Sequence, residues 1–159
     1  FDIIGLLARH PKMARRFLTF NGWLLQRGEL PLRLRELAVL RVAHTRRSAF
    51  FWGRARQGRR RRRCARRRHR PPRQRQRRIH RRRRLVLDAT DELLSHGRVG
   101  EDSWQRLAEE LGTHQAMELI FVVGTYAMLA MAFDTWRLAP PPADSASLPD
   151  APDSPPTNK

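Results

Sequence analysis

Residues 117–133 read MELIFVVGTYAMLAMAF, an apolar run interrupted by one charge, Glu118. The run falls short of the roughly 20 apolar residues that a membrane span requires. It therefore predicts a buried helix and no membrane segment. Thr113 offers a hydroxyl for the N-cap, so the helix is expected over His114 to Trp136. Apolar side chains on nearly every side place such a helix at the centre of a bundle or at a subunit interface.

The flanking stretches follow the same grammar. Gly112 ends a preceding helix that carries Trp104, Leu107 and Leu111, with Glu101 and Asp102 favouring its first turn. Before that, Leu85, Leu87, Leu93 and Leu94 run to a stop at Gly97. At the other end of the chain, Pro11 suits the first turn of a helix bearing Met13, Phe17, Leu18 and Phe20, then Trp23, Leu24 and Leu25. Gly28 fits the C′ position of that helix, and Pro31 opens the next. There Leu34, Leu37, Ala38, Leu40 and Val42 recur at three-to-four spacing. No stretch makes a convincing strand. The prediction is an all-α bundle of about six helices, with Trp23, Trp104, Tyr126, Met128 and Met131 as packing residues and Gly124 as a point of close helix approach.

Charge is concentrated in one place. The 159 residues hold 33 Lys and Arg against 15 Asp and Glu, a formal charge of +18. Residues 54–84 contain 19 of those cations, all Arg, and no acid. Outside them 14 basic residues face all 15 acidic ones. The chain is thus a near-neutral domain interrupted by an arginine block. Like charges without apolar periodicity predict disorder for that block. After Ala139, 7 of the 11 prolines lie among Ser, Asp and Ala, which predicts a disordered tail over 139–159.

Both flanks of the block resemble the carboxymuconolactone decarboxylase-like family, related to the alkylhydroperoxidase D-like proteins. The N-terminal resemblance lies in Leu7-Ala8-Arg9-His10-Pro11-Lys12, Trp23-Leu24-Leu25, and Arg35-Glu36-Leu37-Ala38-Val39-Leu40-Arg41-Val42-Ala43, then Ser48 to Gly53. The C-terminal part lies in Asp91-Glu92-Leu93, Glu118-Leu119-Ile120-Phe121, Gly124, Tyr126, Met128-Leu129-Ala130 and Asp134-Thr135. The resemblance implies one domain over 1–138, an all-α fold, homo-oligomers and a small-molecule substrate. It also implies decarboxylase or hydroperoxidase chemistry through a Glu/His proton relay. The family's reactive motif runs Glu, then Cys or Ser twelve residues on, then Cys or Glu three further, then His four beyond. Projected from Glu36 it falls on Ser48, Phe51 and Ala55. Glu36 and Ser48 fit and are the candidate catalytic residues. Phe51 and Ala55 do not, and neither supplies a titrating group. The chain as written is expected to be inactive.

The break coincides with the start of the arginine block. With synonymous codons GGG-CGA-GCA-CGC-CAG-GG for Gly53 to Gly58, removing one G gives Gly-Glu-His-Ala-Arg, with a histidine at position 55. The same shift turns CGN arginine codons into GNC, which encodes Ala, Asp, Gly or Val. Residues 54–84 therefore read as a frameshift product, with a compensating shift near Arg84. The alternatives are a nucleic-acid-binding protein that uses the arginines to neutralise phosphates, and a non-catalytic oligomeric pseudoenzyme.

The remaining candidates are weak. Cys64 has no partner cysteine, so neither a disulfide nor a Cys-x-x-Cys site is available. Its arginine neighbours favour thiolate, yet it has no resolving thiol. His44 is eight residues from Glu36 rather than nineteen. His10, His96 and His114 fall at helix ends. No metal site and no cofactor are expected, no secretory signal is visible, and the expected location is cytoplasmic.

Overall fold

Prolines and glycines set the ends of several helices. The computed structural model describes residues 3–48 and 73–138. Within them lie α1 (Ile3–Ala8), α2 (Pro11–Gln26), α3 (Leu32–Thr45), α4 (Arg73–His96), α5 (Glu101–Leu111) and α6 (Thr113–Thr135), with no strand among the described residues. Pro11 occupies the first turn of α2, where a missing N–H costs nothing, and His10 Nδ1 accepts from the Met13 N–H at 3.4 Å. Pro31 caps α3 rather than beginning it. Gly97, at φ 72, follows α4 as the sequence predicts.

Gly112 is both the last cap of α5 and the first cap of α6, at φ 88 and ψ 151. This corrects the assignment of Thr113 as the N-cap, because Thr113 is already the first helical residue. Only glycine enters this backbone region cheaply. The ends of α3 and α6 manage a similar reversal without glycine. Arg47 and Arg137 both sit at φ 51, with Ser48 N–H donating to Ala43 O and Leu138 N–H to Phe133 O. These are Schellman closures with arginine in the left-handed position.

Side-chain pairs give the helix directions. Glu92 near the end of α4 meets Ser103 at the start of α5, and Arg82 near the start of α4 meets Glu110 at the end of α5. These two helices are antiparallel, and α6 turns back again at Gly112. Glu118 near the start of α6 meets Leu30 just before α3, while Ala43 clusters with Ala130 and Phe133 near the end of α6. Helices α3 and α6 therefore run the same way. A main core joins Leu24, Leu34, Val42, Val86, Leu107 and Leu119 across all the longer helices.

Two expectations change. Residues 73–84 form the first half of α4 instead of a disordered segment. Their mutual repulsion is relieved by Glu110, whose Oε1 accepts from Arg78 at 3.2 Å and Arg82 at 3.0 Å, with Arg81 at 3.5 Å from Oε2. Arg82 also donates to the Glu110 carbonyl at 2.8 Å, using an acceptor that the end of α5 leaves open. Burial pushes Glu110 up, but the bonds from Arg82 and Arg78 and the charges of Arg81 and Arg82 outweigh it and hold the carboxyl below its ordinary range. Residues 54–72, with Cys64, and the 139–159 tail lie outside the described residues.

The second change concerns α6. It is long and apolar enough to cross a membrane, although half of its apolar window is buried in the protein. It is not surrounded. One side carries Leu119, Val122 and Phe133 into the core, while Met117, Phe121, Met128 and Met131 remain exposed, as does Trp23 on α2. Trp23, Met128 and Met131, expected to pack in the core or at an interface, are covered by no described helix.

A Cβ built at Gly112 meets nothing within 4 Å, so Gly112→Ala should cost backbone strain alone. The expected loss is about 1–3 kcal/mol in urea unfolding. An unchanged midpoint would mean that the α5–α6 joint relaxes freely.

Candidate functional site

Helix α3 carries most of the string that marks the resemblance, and packing accounts for much of it. Ala38 and Val42 are wholly buried. Arg35 donates to the Leu24 carbonyl at 3.1 Å, satisfying an acceptor near the end of α2. Arg41 binds Asp91 of α4 through two parallel bonds of 2.6 and 2.7 Å. The bond to Asp91 raises the Arg41 pKa, against desolvation, with the Asp91 and Asp88 charges adding to it. Glu36 is half-buried in the middle of α3 and is engaged by its surroundings.

Ser48 lies just beyond the left-handed turn at Arg47. It is 0% exposed, and its Oγ has no hydrogen-bond partner among the described residues. A buried hydroxyl without a partner is uncommon and costly. Among the described residues, no hydrogen bond joins Glu36 to Ser48. Glu36 and Thr45 are roughly 13 Å apart along α3, and beyond Thr45 the turn at Arg47 returns the Ser48 N–H to the Ala43 carbonyl. The two remaining positions of the motif, 51 and 55, lie outside the described residues and hold Phe51 and Ala55. His44 lies on α3 between the two, half-buried and engaged by its surroundings.

The best-satisfied buried carboxylate is elsewhere. Glu118 is 8% exposed inside the apolar α6, with one oxygen accepting from the Glu29 N–H at 2.9 Å and the other from the Leu30 N–H at 2.7 Å. Gly28 is shaped by the same contact. It does not act as a left-handed helix stop; a Cβ there would lie 2.8 Å from Glu118 Oε2 and 2.7 Å from the Leu24 carbonyl. Both Glu118 oxygens are occupied by backbone donors, so the group pins the turn before α3 rather than serving as a base. A lone acid in an apolar run was the sequence signal for such a contact, since burial demands donors. The donors themselves lie about ninety residues away, beyond the reach of any local pattern. Glu92 plays a comparable part at the start of α5, accepting from Ser103 Oγ and the Gly100 N–H, which hold it below the ordinary carboxylate range.

A cleft of about 290 Å³ opens between the α5–α6 joint and Glu29, lined also by Leu111, His114 and Gln115. His114 Nδ1 and Glu29 Oε1 approach to 3.4 Å there, and both side chains are largely exposed. It contains neither Glu36 nor Ser48. Among the described residues, no group of three or more His, Cys, Asp or Glu side chains is placed to hold a metal ion. The chain matches no family model, no curated protein and no solved structure.

Glu118→Gln should remove one of the two backbone bonds, because an amide group has a single acceptor oxygen. The expected destabilisation is about 1–3 kcal/mol, read as a lower urea midpoint. An unchanged midpoint would show that Glu118 does not anchor the turn.

Proposed function

We propose that this chain is a carboxymuconolactone decarboxylase-like helical protein whose proton relay is incomplete as encoded. The resemblance of its flanks supports the reading, as does the all-helical architecture. The observation that carries it is in the sequence, which has Phe51 and Ala55 where the motif that begins at Glu36 and Ser48 calls for a thiol or carboxylate and a histidine. With those residues, a decarboxylation has no acid to protonate the carbon from which CO2 departs. Peroxide reduction by a thiol pair is not supported either, because Cys64 is the single cysteine.

The test is the gene sequence across codons 50–90, the intact mass of the native protein, and turnover of a lactone carboxylic acid followed by CO2 release. The chain as written should show no rate above the uncatalysed one. A chain restored to the other reading frame, with histidine at position 55, should gain activity, and Glu36→Gln in that background should abolish the gain. Turnover by the chain as written would overturn the proposal.

A second reading attaches to α4, where Arg75, Arg77 and Arg83 are exposed on an ordered helix. Such a row can neutralise phosphates, each contact steepening the salt dependence of duplex binding by about 0.9 in the log–log slope. Arg78, Arg81 and Arg82 are spent on Glu110. If the helix is a nucleic-acid arm, replacing Arg75, Arg77 and Arg83 by Ala should flatten the slope by about 2–3. An unchanged slope removes that reading.

A further inference from the structure

The exposed side of α6 has a period of its own. Met117, Phe121, Gly124, Met128 and Met131 follow one another at alternating steps of four and three, the spacing of a coiled-coil seam. The four large side chains are 46–53% exposed. No charge interrupts the stripe, because the only acidic or basic residue between Met117 and Phe133 is Glu118, which faces inward to the Leu30 amide. The apolar surface continues onto α2, where Phe20 meets Phe121 edge-on at 6.1 Å and Trp23 is 51% exposed. The exposed Met, Phe and Trp side chains on these two helices are each 42–53% exposed, an apolar surface of the kind that marks an interaction site.

We propose that a second copy of this chain covers the stripe, with the two α6 helices crossing antiparallel at Gly124. The spacing is self-complementary about that residue. Met117 and Met131 lie seven residues to either side, and Phe121 and Met128 lie three and four away. A two-fold axis at Gly124 therefore sets Phe121 against the other copy's Met128, a favourable ring–sulfur pair, and Met117 against its Met131. The glycines meet at the crossing, and a Cβ built at Gly124 finds nothing within 4 Å, so the backbones can approach. Beyond the stripe the same axis sets His114 opposite Asp134, both exposed. Each contact occurs twice, as an isologous interface requires. The pairing is independent of the relay, and its test does not use activity.

Sedimentation velocity on the full chain should give a species of twice the 18.7 kDa chain mass at micromolar concentration. Phe121→Glu and Met128→Glu, both on exposed positions, should weaken association by about 100-fold or more, while circular dichroism stays unchanged. In a Cys64→Ser background, Gly124→Cys should cross-link to itself under mild oxidation, since a disulfide needs Cα atoms within about 7 Å. Met117→Cys should cross-link to Met131→Cys in a mixture but not to itself. A monomeric wild-type chain overturns the proposal, as does a dimer insensitive to both glutamates. Self-cross-linking of Met117→Cys would overturn the antiparallel arrangement. Partition into neutral lipid vesicles that Phe121→Glu abolishes, without a dimer in solution, would assign the stripe to a membrane instead.

Discussion

The contact between Glu118 and the two amides before α3 ties together parts of the bundle that the chain order keeps apart. Without donors, an ionised carboxylate inside an apolar helix would carry a desolvation cost of several kcal/mol. Glu29 and Leu30 supply those donors, which fixes the start of α3 beside the start of α6. Gly28 has no side chain because the carboxylate occupies the space. Once that end is pinned, Ala38 and Val42 enter the core and Ala43 reaches Ala130 and Phe133 at the other end. The remaining polar links, Arg41 with Asp91 and Glu110 with its arginines, set α4 against α3 and α5 from the outside. They are partly exposed and screened, so they orient more than they stabilise.

Much of the helical organisation was legible because it rests on local chemistry. Pro11, Gly97 and the apolar stripe over Leu34 to Val42 each announce a helix or its end through backbone geometry or period. The misreadings all have a tertiary cause. Residues 73–84 look disordered by charge alone, but a single acid on α5 gathers three of their arginines. Gly28 looks like a helix stop, and its real constraint is a carboxylate from α6. For Met128 and Met131 both a core and an interface position stayed open, because side-chain type shows that a surface is apolar but not whether this chain or another covers it.

The candidate site was legible only as a pattern of spacings. Twelve residues between Glu36 and Ser48 mean little until the helix is known to run almost the whole interval. What the sequence could show, and did, is that the two motif positions after Ser48 carry no titrating side chain. The burial of Ser48 and the lack of a partner for its Oγ became visible only with the fold.

The parallel course of α3 and α4 has a consequence for how the molecule assembles. Helices α4, α5 and α6 follow one another through links of a few residues, so their contacts are local and cheap to close. Helix α3 ends across the bundle from where α4 begins, so its contacts with α4 join residues far apart along the chain. Loop-closure entropy grows only with the logarithm of length, about 0.6 kcal/mol for each doubling. The interval between Thr45 and Arg73 can therefore change greatly in length with little effect on the final stability. Its length should instead set how quickly α3 finds its place, because non-local contacts slow folding far more than they weaken the folded state.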